Sequence, residues 1–460
     1  MKYLMLLSCG LLLTMQVLYG QEARVSLSLK DAQEYAIEHN KELMNAREDI
    51  ELAKLKYSEA RSQGLPQVNG SMDYMTNFNY EFEFSAGAGT SEPPDIDYSL
   101  LDAGDYEVLS AINSMFSGGA STIVMEDQAN ASVQLSQLVF SGQYWIGLEM
   151  SKIAEELSRK QYLTSELDIK QSVANTYYLV QVTKNNLAIL EKNIENMLTV
   201  KKHTSDMVSV GMAEQTDLDQ IRINVSQLEN TLQSAKRNLQ LSYNMLRMQL
   251  GISDTVEIAL EESLADVLSP ITNSDLQANA FSPDMNATYQ MVELQTKVQE
   301  KQVKMEKWAY APVVTGFYSY TEKILRSGFD LSPNHAAGLT LSLPIFSGGQ
   351  RQSKLNQAKI ELEKAQRSKS YLEDQLQLQA NQLHYDFVSA MENYKTQKEN
   401  VEVARSLYDN IANKYKQGLV SSLDLTQANS NYLQAENNYN SAALKLLQSR
   451  LALERLYNLL

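Results

Sequence analysis

Hydrophobic side chains recur every seven residues along two very long stretches of this chain. In the second stretch, positions spaced by multiples of seven are occupied by Leu355, Leu362, Leu376, Leu383, Ala390, Ala404 and Ile411. Residues 143–210 and 350–417 contain no proline. Each can therefore form one uninterrupted helix, about 100 Å long at 1.5 Å per residue. A seven-residue repeat over that length predicts coiled-coil packing.

A shorter amphipathic helix is predicted after each long one. Apolar side chains step by three and four residues in both, at Leu218, Ile221, Val225, Leu228, Leu232 and Ala235 and again at Leu425, Ala428, Tyr432, Ala435, Tyr439 and Ala442. The pattern in each half of the chain thus predicts a helical hairpin. Its turn is expected at Gly211 or Gly418, because glycine just beyond a helix end is a common C-cap. Asp217 and Asp424 lie at the start of the returning helices, where a carboxylate suits the helix dipole.

Between the helices the period changes to two. In residues 68–84 the even positions include Val68, Met72, Tyr74, Phe78, Tyr80, Phe82 and Phe84, whereas the odd positions are mostly polar or acidic. Residues 129–136 and 337–345 alternate in the same way, and 313–321 alternate more weakly because aromatic residues occupy both faces. Alternation of this kind predicts strands with two unlike faces.

The aromatic face of these strands needs a covering that the chain does not supply. A soluble hairpin packed on a core is the alternative, but the helices use their apolar seams against each other. A surface facing lipid, with a polar lumen behind it, fits the pattern better. We therefore predict that Phe78, Tyr80, Phe82 and Phe84 face lipid or its interface.

The sequence is also duplicated. Leu135-Ser136 and Phe140-Ser141-Gly142 recur as Leu341-Ser342 and Phe346-Ser347-Gly348, and Gly211 and Asp217 recur as Gly418 and Asp424. This predicts two structural repeats, 21–255 and 256–460, within one interleaved body. Each repeat supplies two strands, and four strands cannot close a transmembrane barrel. Several chains must share one barrel, and the pattern does not choose between two chains and three.

Composition and the absence of certain motifs exclude several classes of function. Residues 1–20 have the layout of a signal peptide, and the only cysteine, Cys9, lies within them. The formal net charge of −16 disfavours nucleic acid as a partner. The four histidines are scattered, and neither a phosphate-binding glycine loop nor a nucleophile elbow is present. The acidic stretch within 85–127 matches no calcium-loop spacing and predicts an exposed extracellular loop. The chain is predicted to be no enzyme and to hold no cofactor or metal.

Several of these features together resemble the TolC family of outer-membrane efflux proteins. They are the duplicated order of helix, two strands, long helix and returning helix, the Phe-Ser-Gly start of each long helix, the Tyr415-x-x-Gly418-Leu419 turn, and the opening Ser28-Leu29-Lys30-Asp31-Ala32. The resemblance implies a mainly α-helical coiled-coil barrel with membrane β-structure. In a homotrimer, four strands per chain would form a 12-stranded outer-membrane β-barrel. The helices would extend into the periplasm as a tunnel.

The same resemblance implies partners and a gate. The channel would receive exported substrates from a periplasmic adaptor and an inner-membrane pump of the RND or ABC type. Asp217 and Asp424 would line the constriction at the inner end, and Tyr415 would help to hold it shut. Val420 and Gln427 depart from the family, which usually has an arginine and a second carboxylate near these positions. A plain helix-capping role for the two aspartates is the alternative reading.

A second class of function is a trimeric coiled-coil surface adhesin or envelope scaffold. Such a protein would normally carry its anchoring strands at one end of the chain. Here strands interrupt the helices twice, which favours an export duct.

Overall fold

The computed structural model describes residues 24–78, 80–84, 102–116, 121–125, 127–254, 256–273, 281–325 and 332–460. The predicted signal peptide at 1–20, with Cys9, lies outside these ranges. The helices are α1 (Leu29–His39), α2 (Lys41–Ser62), α3 (Ala103–Phe116), α4 (Gly142–Ser209), α5 (Gln215–Leu250), α6 (Leu264–Asn273), α7 (Ala287–Trp308), α8 (Gln350–Lys416) and α9 (Ser422–Leu456). The strands are β1 (Arg24–Leu27), β2 (Gln67–Met75), β3 (Tyr80–Phe84), β4 (Ser121–Met125), β5 (Gln128–Phe140), β6 (Glu257–Leu260), β7 (Val313–Leu325) and β8 (His335–Ser342).

The chain divides into two compact units. The helical unit takes its residues from Met1–Leu55, Lys152–Glu300 and Ile360–Leu460. The sheet unit consists of Lys56–Ser151 and Lys301–Lys359.

The two long helices predicted by the seven-residue repeat are confirmed. α4 has 68 residues and α8 has 67. Their apolar seams meet those of α5 and α9 in the helical unit, where Tyr177 of α4, Leu246 of α5 and Leu446 of α9 are fully buried members of one cluster. Within the described residues no helix is both long enough and apolar enough to cross a membrane.

The helical unit contains two similar strand-to-helix segments. β1 pairs in parallel with β6, with Leu27 opposite Leu260. Each strand leads into a short helix that begins with a serine–aspartate pair. In the first repeat the Asp31 carboxylate accepts a hydrogen bond from the Ser28 hydroxyl, and in the second the Asp266 carboxylate accepts one from Ser263.

In each repeat, a buried asparagine joins the start of one helix to the end of another. The Asn40 side-chain oxygen accepts hydrogen bonds from the first backbone N–H groups of α2, while its amide donates to the Gln249 carbonyl at the end of α5. Asn286 does the same for α7, and its amide donates to the Leu456 carbonyl at the end of α9. Each side chain thus satisfies groups at two helix ends that would otherwise lack partners.

The sheet unit contains the four strands that the sequence predicted. They form one antiparallel sheet in the order β2-β5-β7-β8. Residues paired directly across an antiparallel sheet lie on the same face, so the register defines two faces. One is largely polar and carries Asn69, Ser71, Asp73, Asn130, Ser132, Gln134, Ser319, Thr321 and Thr340. The other is largely apolar and carries Val68, Met72, Tyr74, Val133, Leu135, Tyr318, Tyr320, Leu339 and Leu341.

Phe317 explains why the alternation is weak in β7. It lies on the polar face opposite Gly338. A Cβ on Gly338 would come within 2.8 Å of the Phe317 ring. The glycine therefore makes room for an aromatic ring that covers the neighbouring strand.

Two expectations from the alternating pattern are wrong. Residues 68–84 do not form one strand, because β2 ends at Met75 and β3 begins at Tyr80, with Phe78 at φ 49° between them. β3 pairs instead with β4 in a separate two-stranded sheet. β8 ends at Ser342, before Pro344, rather than at residue 345. Proline cannot donate to a strand ladder.

The stretch 85–127 is also not a single loop. It contains α3 and β4, and residues 85–101 lie outside the described residues. Two of its acidic residues form the start of α3. The Asp102 carboxylate accepts hydrogen bonds from the backbone of Gly104 and Asp105, so its role there is that of a helix cap.

Candidate functional site at the helical hairpin tips

The turn of each helical hairpin closes in the same way. Gly211 lies just beyond α4 at φ 78°, and Gly418 just beyond α8 at φ 72°. In the first turn Gly211 N–H donates to Val208 and Met212 N–H to Met207; in the second, Gly418 N–H donates to Tyr415 and Leu419 N–H to Lys414. This is the Schellman arrangement, which requires a left-handed residue. Nothing lies within 4 Å of a Cβ placed on either glycine. The backbone angle, not space, therefore requires glycine.

The two aspartates that follow these turns differ in their surroundings. Asp424 is exposed and forms a capping box with Ser421: its backbone N–H donates to the Ser421 hydroxyl, and its carboxylate accepts from the Ser421 N–H and O–H. These bonds hold the pKa of the Asp424 carboxyl below its usual value. Asp217 is half-buried, and its Oδ2 accepts a longer bond of 3.3 Å from the Glu214 N–H.

The other oxygen of Asp217 reaches the second hairpin. Its Oδ1 accepts a hydrogen bond of 2.5 Å from the hydroxyl of Ser422, a buried residue in the first turn of α9. A carboxylate that accepts an O–H bond of this length forms a strong, charge-assisted contact. Asp217 therefore joins the start of α5 to the start of α9.

Tyr415 forms a second bond between the hairpins. Its ring is 5% exposed, and its hydroxyl lies 2.8 Å from Oγ1 of the fully buried Thr204 on α4. The Thr204 hydroxyl donates its own hydrogen to the Val200 carbonyl, so the Tyr415 hydroxyl is the donor to Thr204. Burial raises the pKa of Tyr415.

We call the Asp217–Ser422 and Thr204–Tyr415 hydrogen bonds the tip links. Around them lies an apolar cluster drawn from four helices, which includes Val200 of α4, Ile221 of α5, Tyr415 of α8 and Leu425 of α9. The two residues that depart from the TolC pattern have other roles here. Val420 packs against this cluster, and the Gln427 amide donates to Asn431 on its own helix. The tip links are thus one hydroxyl–carboxylate bond and one hydroxyl–hydroxyl bond.

Further polar pairs cross between the hairpins above the tip. Asn193 and Asn429 exchange amide hydrogen bonds of 2.6 and 3.3 Å, and both are buried. Asn224 donates to Thr426 at 2.7 Å. The sequence analysis predicted Asp217, Asp424 and Tyr415 but not their partners. The only available signal was a polar residue at a position where the helical pattern calls for an apolar one.

The residues predicted to face lipid are placed only in part. Phe78 is exposed in the turn after β2, and Tyr80 is exposed at the start of β3. Phe82 and Phe84 belong to β3, but their side chains lie outside what the structure describes. A better candidate for the lipid-facing surface is the apolar face of the four-stranded sheet, which includes Tyr74, Val133 and Leu341.

The described residues contain a two-faced antiparallel sheet of four strands and two helices of 68 and 67 residues. The family model for the outer membrane efflux protein matches residues 33–252 and 277–459. The chain belongs to this family and is therefore an efflux channel protein of the outer membrane.

Solved structures with the same fold include CusC, with a TM-score of 0.73 and 15% identity over 96% of this chain and 95% of that one. The Campylobacter jejuni CmeC outer membrane channel gives a TM-score of 0.69 and 17% identity over 96% and 90%. The outer membrane protein VceC of Vibrio cholerae gives 0.68 and 15% over 93% and 95%. No curated protein matches the sequence significantly.

Proposed function

We propose that this chain forms a homotrimeric export duct that carries substrates from a periplasmic adaptor and an inner-membrane pump to the exterior. The observation that carries the proposal is the register of the four-stranded sheet. It places polar residues such as Ser132 and Gln134 on one face and apolar residues such as Val133 and Leu135 on the other. Such a sheet suits a barrel wall between lipid and a water-filled lumen.

Four strands per chain require partners to close that wall. Three copies give twelve strands, as in the family that the sequence resembles, and cyclic symmetry makes all the contacts equivalent. The helical hairpins would then line a periplasmic tunnel with their turns at its inner end.

The tip links are proposed as the lock of the resting channel. Opening would move the second hairpin away from the first, which breaks the bond from Ser422 to Asp217 and the bond from Tyr415 to Thr204. The donor in each bond is a hydroxyl, on Ser422 in one and on Tyr415 in the other. Removal of these two hydroxyls would break both bonds with little change in side-chain volume. Asp217 and Asp424 would add negative charge around the aperture and favour cations.

A groove on the first hairpin is proposed as an adaptor contact. It has a volume of about 240 Å³, and Lys201, Lys202 and Arg222 line it together with Leu198, Ser205, Asp206 and Leu218. The matching positions of the second hairpin are Tyr408, Asp409 and Asn429. The second hairpin therefore does not repeat this basic groove, and an acidic helix is the partner that its charge suits.

The experiment that tests the duct is expression in a host that lacks its own outer-membrane channel but retains adaptor and pump. The purified protein should have three chain masses in detergent and form ion-conducting pores in planar bilayers. A monodisperse soluble monomer without conductance would contradict the proposal. Reversal of Lys201, Lys202 and Arg222 to glutamate should abolish export but leave bilayer conductance intact.

A further inference from the structure

Four helix ends meet the same end of the four-stranded sheet. β2 and β7 begin shortly after α2 and α7 end, whereas β5 and β8, which run in the opposite direction, end shortly before α4 and α8 begin. The segments around these four junctions belong to the sheet unit. We call them the collar, which comprises residues 56–66, 141–151, 301–312 and 343–359.

The collar is basic although the chain as a whole is acidic. It contains eight lysines and arginines but only three acidic residues, whereas the formal net charge of the chain is −16. Residues 67–140, which lie between two segments of the collar, contain eleven acidic residues and no lysine or arginine. The sign of the charge therefore changes abruptly at the end of the sheet.

Helix dipoles and ion pairs do not account for this basic surface. Arg61 and Lys307 lie in the last turns of α2 and α7, where a cation suits the dipole. Arg351, however, lies in the first turn of α8 and Lys354 directly after it, where a cation is unfavourable. Lys304, Lys354, Arg61 and Lys307 are exposed, and no carboxylate of the described residues lies within 4.0 Å of their side-chain nitrogens. These charges are available to an anionic partner.

Aromatic side chains occupy the same part of the molecule. Both tryptophans of the chain, Trp145 and Trp308, lie in the collar, and they are 59% and 44% exposed. The exposed Tyr310 holds the Arg351 guanidinium 5.1 Å from the centre of its ring. Tryptophan and tyrosine are enriched where a membrane protein passes from the hydrocarbon to the lipid headgroups. The collar thus has the aromatic composition of a membrane interface in addition to its positive charge.

One groove in the collar brings the two kinds of side chain together. It lies at the end of β5, has a volume of about 390 Å³, and is lined by residues that include Arg61, Leu65, Phe140, Tyr144 and Trp145. A bulge near the end of β5 places Phe140 on the apolar face of the sheet. A lipid whose acyl chains lie against that face would therefore have its phosphate near Arg61. A guanidinium can donate two parallel hydrogen bonds to a phosphate.

We infer that the collar binds the headgroups of anionic phospholipids in the leaflet of the outer membrane that borders the periplasm. The chain is an outer-membrane channel protein whose helices extend into the periplasm, so the helix ends that meet the sheet lie on that side of the membrane. The inference rests on the proposed barrel wall, because the apolar face must meet lipid, and it adds a preference for negative charge at the base of that wall. Since basic clusters attract anionic lipid electrostatically, added salt should weaken the preference.

Quenching of tryptophan fluorescence by brominated lipids tests the inference, because Trp145 and Trp308 are the only tryptophans of the chain. The full-length protein is reconstituted into vesicles of phosphatidylglycerol and phosphatidylcholine in equal parts, with bromine on the acyl chains of one lipid or of the other. Brominated phosphatidylglycerol should quench more strongly and give an about fivefold binding preference, the factor that one basic side chain near an anionic surface contributes. An increase in salt from about 0.05 M to about 0.5 M should remove most of this preference.

A variant without four of the exposed cations identifies the source of the preference. The test variant carries Arg61→Gln, Lys304→Gln, Lys307→Gln and Lys354→Gln. The matched control removes the same number of charges from exposed positions farther along α8, namely Lys395→Gln, Lys398→Gln, Arg405→Gln and Lys414→Gln. Both lipids should quench the test variant equally, whereas the control should retain the preference of the wild type. Conductance in planar bilayers verifies that each variant has assembled.

Equal quenching of the wild type by the two lipids would overturn the inference but leave the barrel wall standing. A preference that persists at high salt, or that the test variant retains in full, would also overturn it, because the charge of the collar would not be the cause. If the test variant does not assemble, the salt dependence of the wild type decides between these outcomes. Quenching by neither lipid would mean that both tryptophans lie away from the bilayer, and it would overturn the proposed barrel wall as well.

Discussion

The hydroxyl of Ser422 donates a hydrogen bond of 2.5 Å to Oδ1 of Asp217, across 205 residues of chain. The repeat makes Asp217 and Asp424 equivalent in sequence, but this contact makes them different in structure. Asp424 caps its own helix from an exposed position, whereas Asp217 also joins the two hairpins. Removal of each carboxylate should therefore have different consequences.

The first prediction concerns ion selectivity. In a trimer, Asp217 and Asp424 would place a ring of negative charge around the tip aperture, and such rings favour cations. Asp217→Asn combined with Asp424→Asn should abolish cation preference in planar-bilayer reversal potentials, with the trimer intact. If the selectivity is unchanged while the melting temperature falls, the two residues are helix caps only.

The second prediction concerns the buried asparagines. Asn40→Ala should destabilise the helical unit by about 1–3 kcal/mol, because it removes a helix cap and the amide donor to the Gln249 carbonyl. Asn286→Ala should have a similar effect through Leu456. Asn40→Ser retains a capping oxygen but no amide donor, so its thermal midpoint should fall between those of wild type and Asn40→Ala. Equal midpoints for all three proteins would exclude this role.

The third prediction distinguishes the two faces of β5. Val133→Arg places a charge on the apolar face and should cost about 2–4 kcal/mol if that face meets the bilayer core. Gln134→Arg, one residue along on the polar face, should cost much less. The measurement is folding into lipid vesicles under denaturant titration. Equal tolerance of the two substitutions would mean that lipid does not contact this face.

The fourth prediction is a dependence on acid pH. Hydrogen bonds lower the pKa of Asp31, Asp266 and Asp424, each the partner of a capping serine. A carboxyl with a lowered folded-state pKa contributes stability above its unfolded pKa of about 3.9, and this stability is lost as the pH falls through the folded value.

Asp424→Asn should therefore lower the melting temperature at pH 7 more than at pH 3. Asp374→Asn is the control, because Asp374 is an exposed carboxylate within α8 that caps no helix. If Asp424→Asn lowers the melting temperature equally at both pH values, the capping bonds do not stabilise the tip.

The helical hairpins and their turns could be predicted from the sequence because their causes are local. A seven-residue period specifies a long coiled-coil helix, and a glycine between two such patterns specifies the turn. The division at Phe78 could not be predicted in this way. The alternation continues through residues 76–80, but one residue at positive φ is enough to separate two strands.

The partners in the tip links could not be predicted for a different reason. Thr204 and Tyr415 are 211 residues apart, and nothing in either helical pattern indicates which polar residue of one hairpin meets which residue of the other. Asn40 and Asn286 were missed because the offset that relates most of the repeat, 207 at Gly211 and Gly418, becomes 246 at this pair. Both the tip links and the equivalence of the two asparagines become apparent only when the packing of the helices is known.

The central claim is that the chain is a duct closed at its hairpin tips by the tip links. It is tested most directly by single-channel conductance of the wild type and of Tyr415→Phe combined with Ser422→Ala, each as purified trimer in a planar bilayer. Each substitution removes one hydroxyl from a tip link and little volume. A duct locked by these bonds should show a low conductance for the wild type and a markedly higher, still cation-selective conductance for the double variant. Equal conductance in the two proteins would contradict the lock, and the absence of conductance in both would contradict the duct.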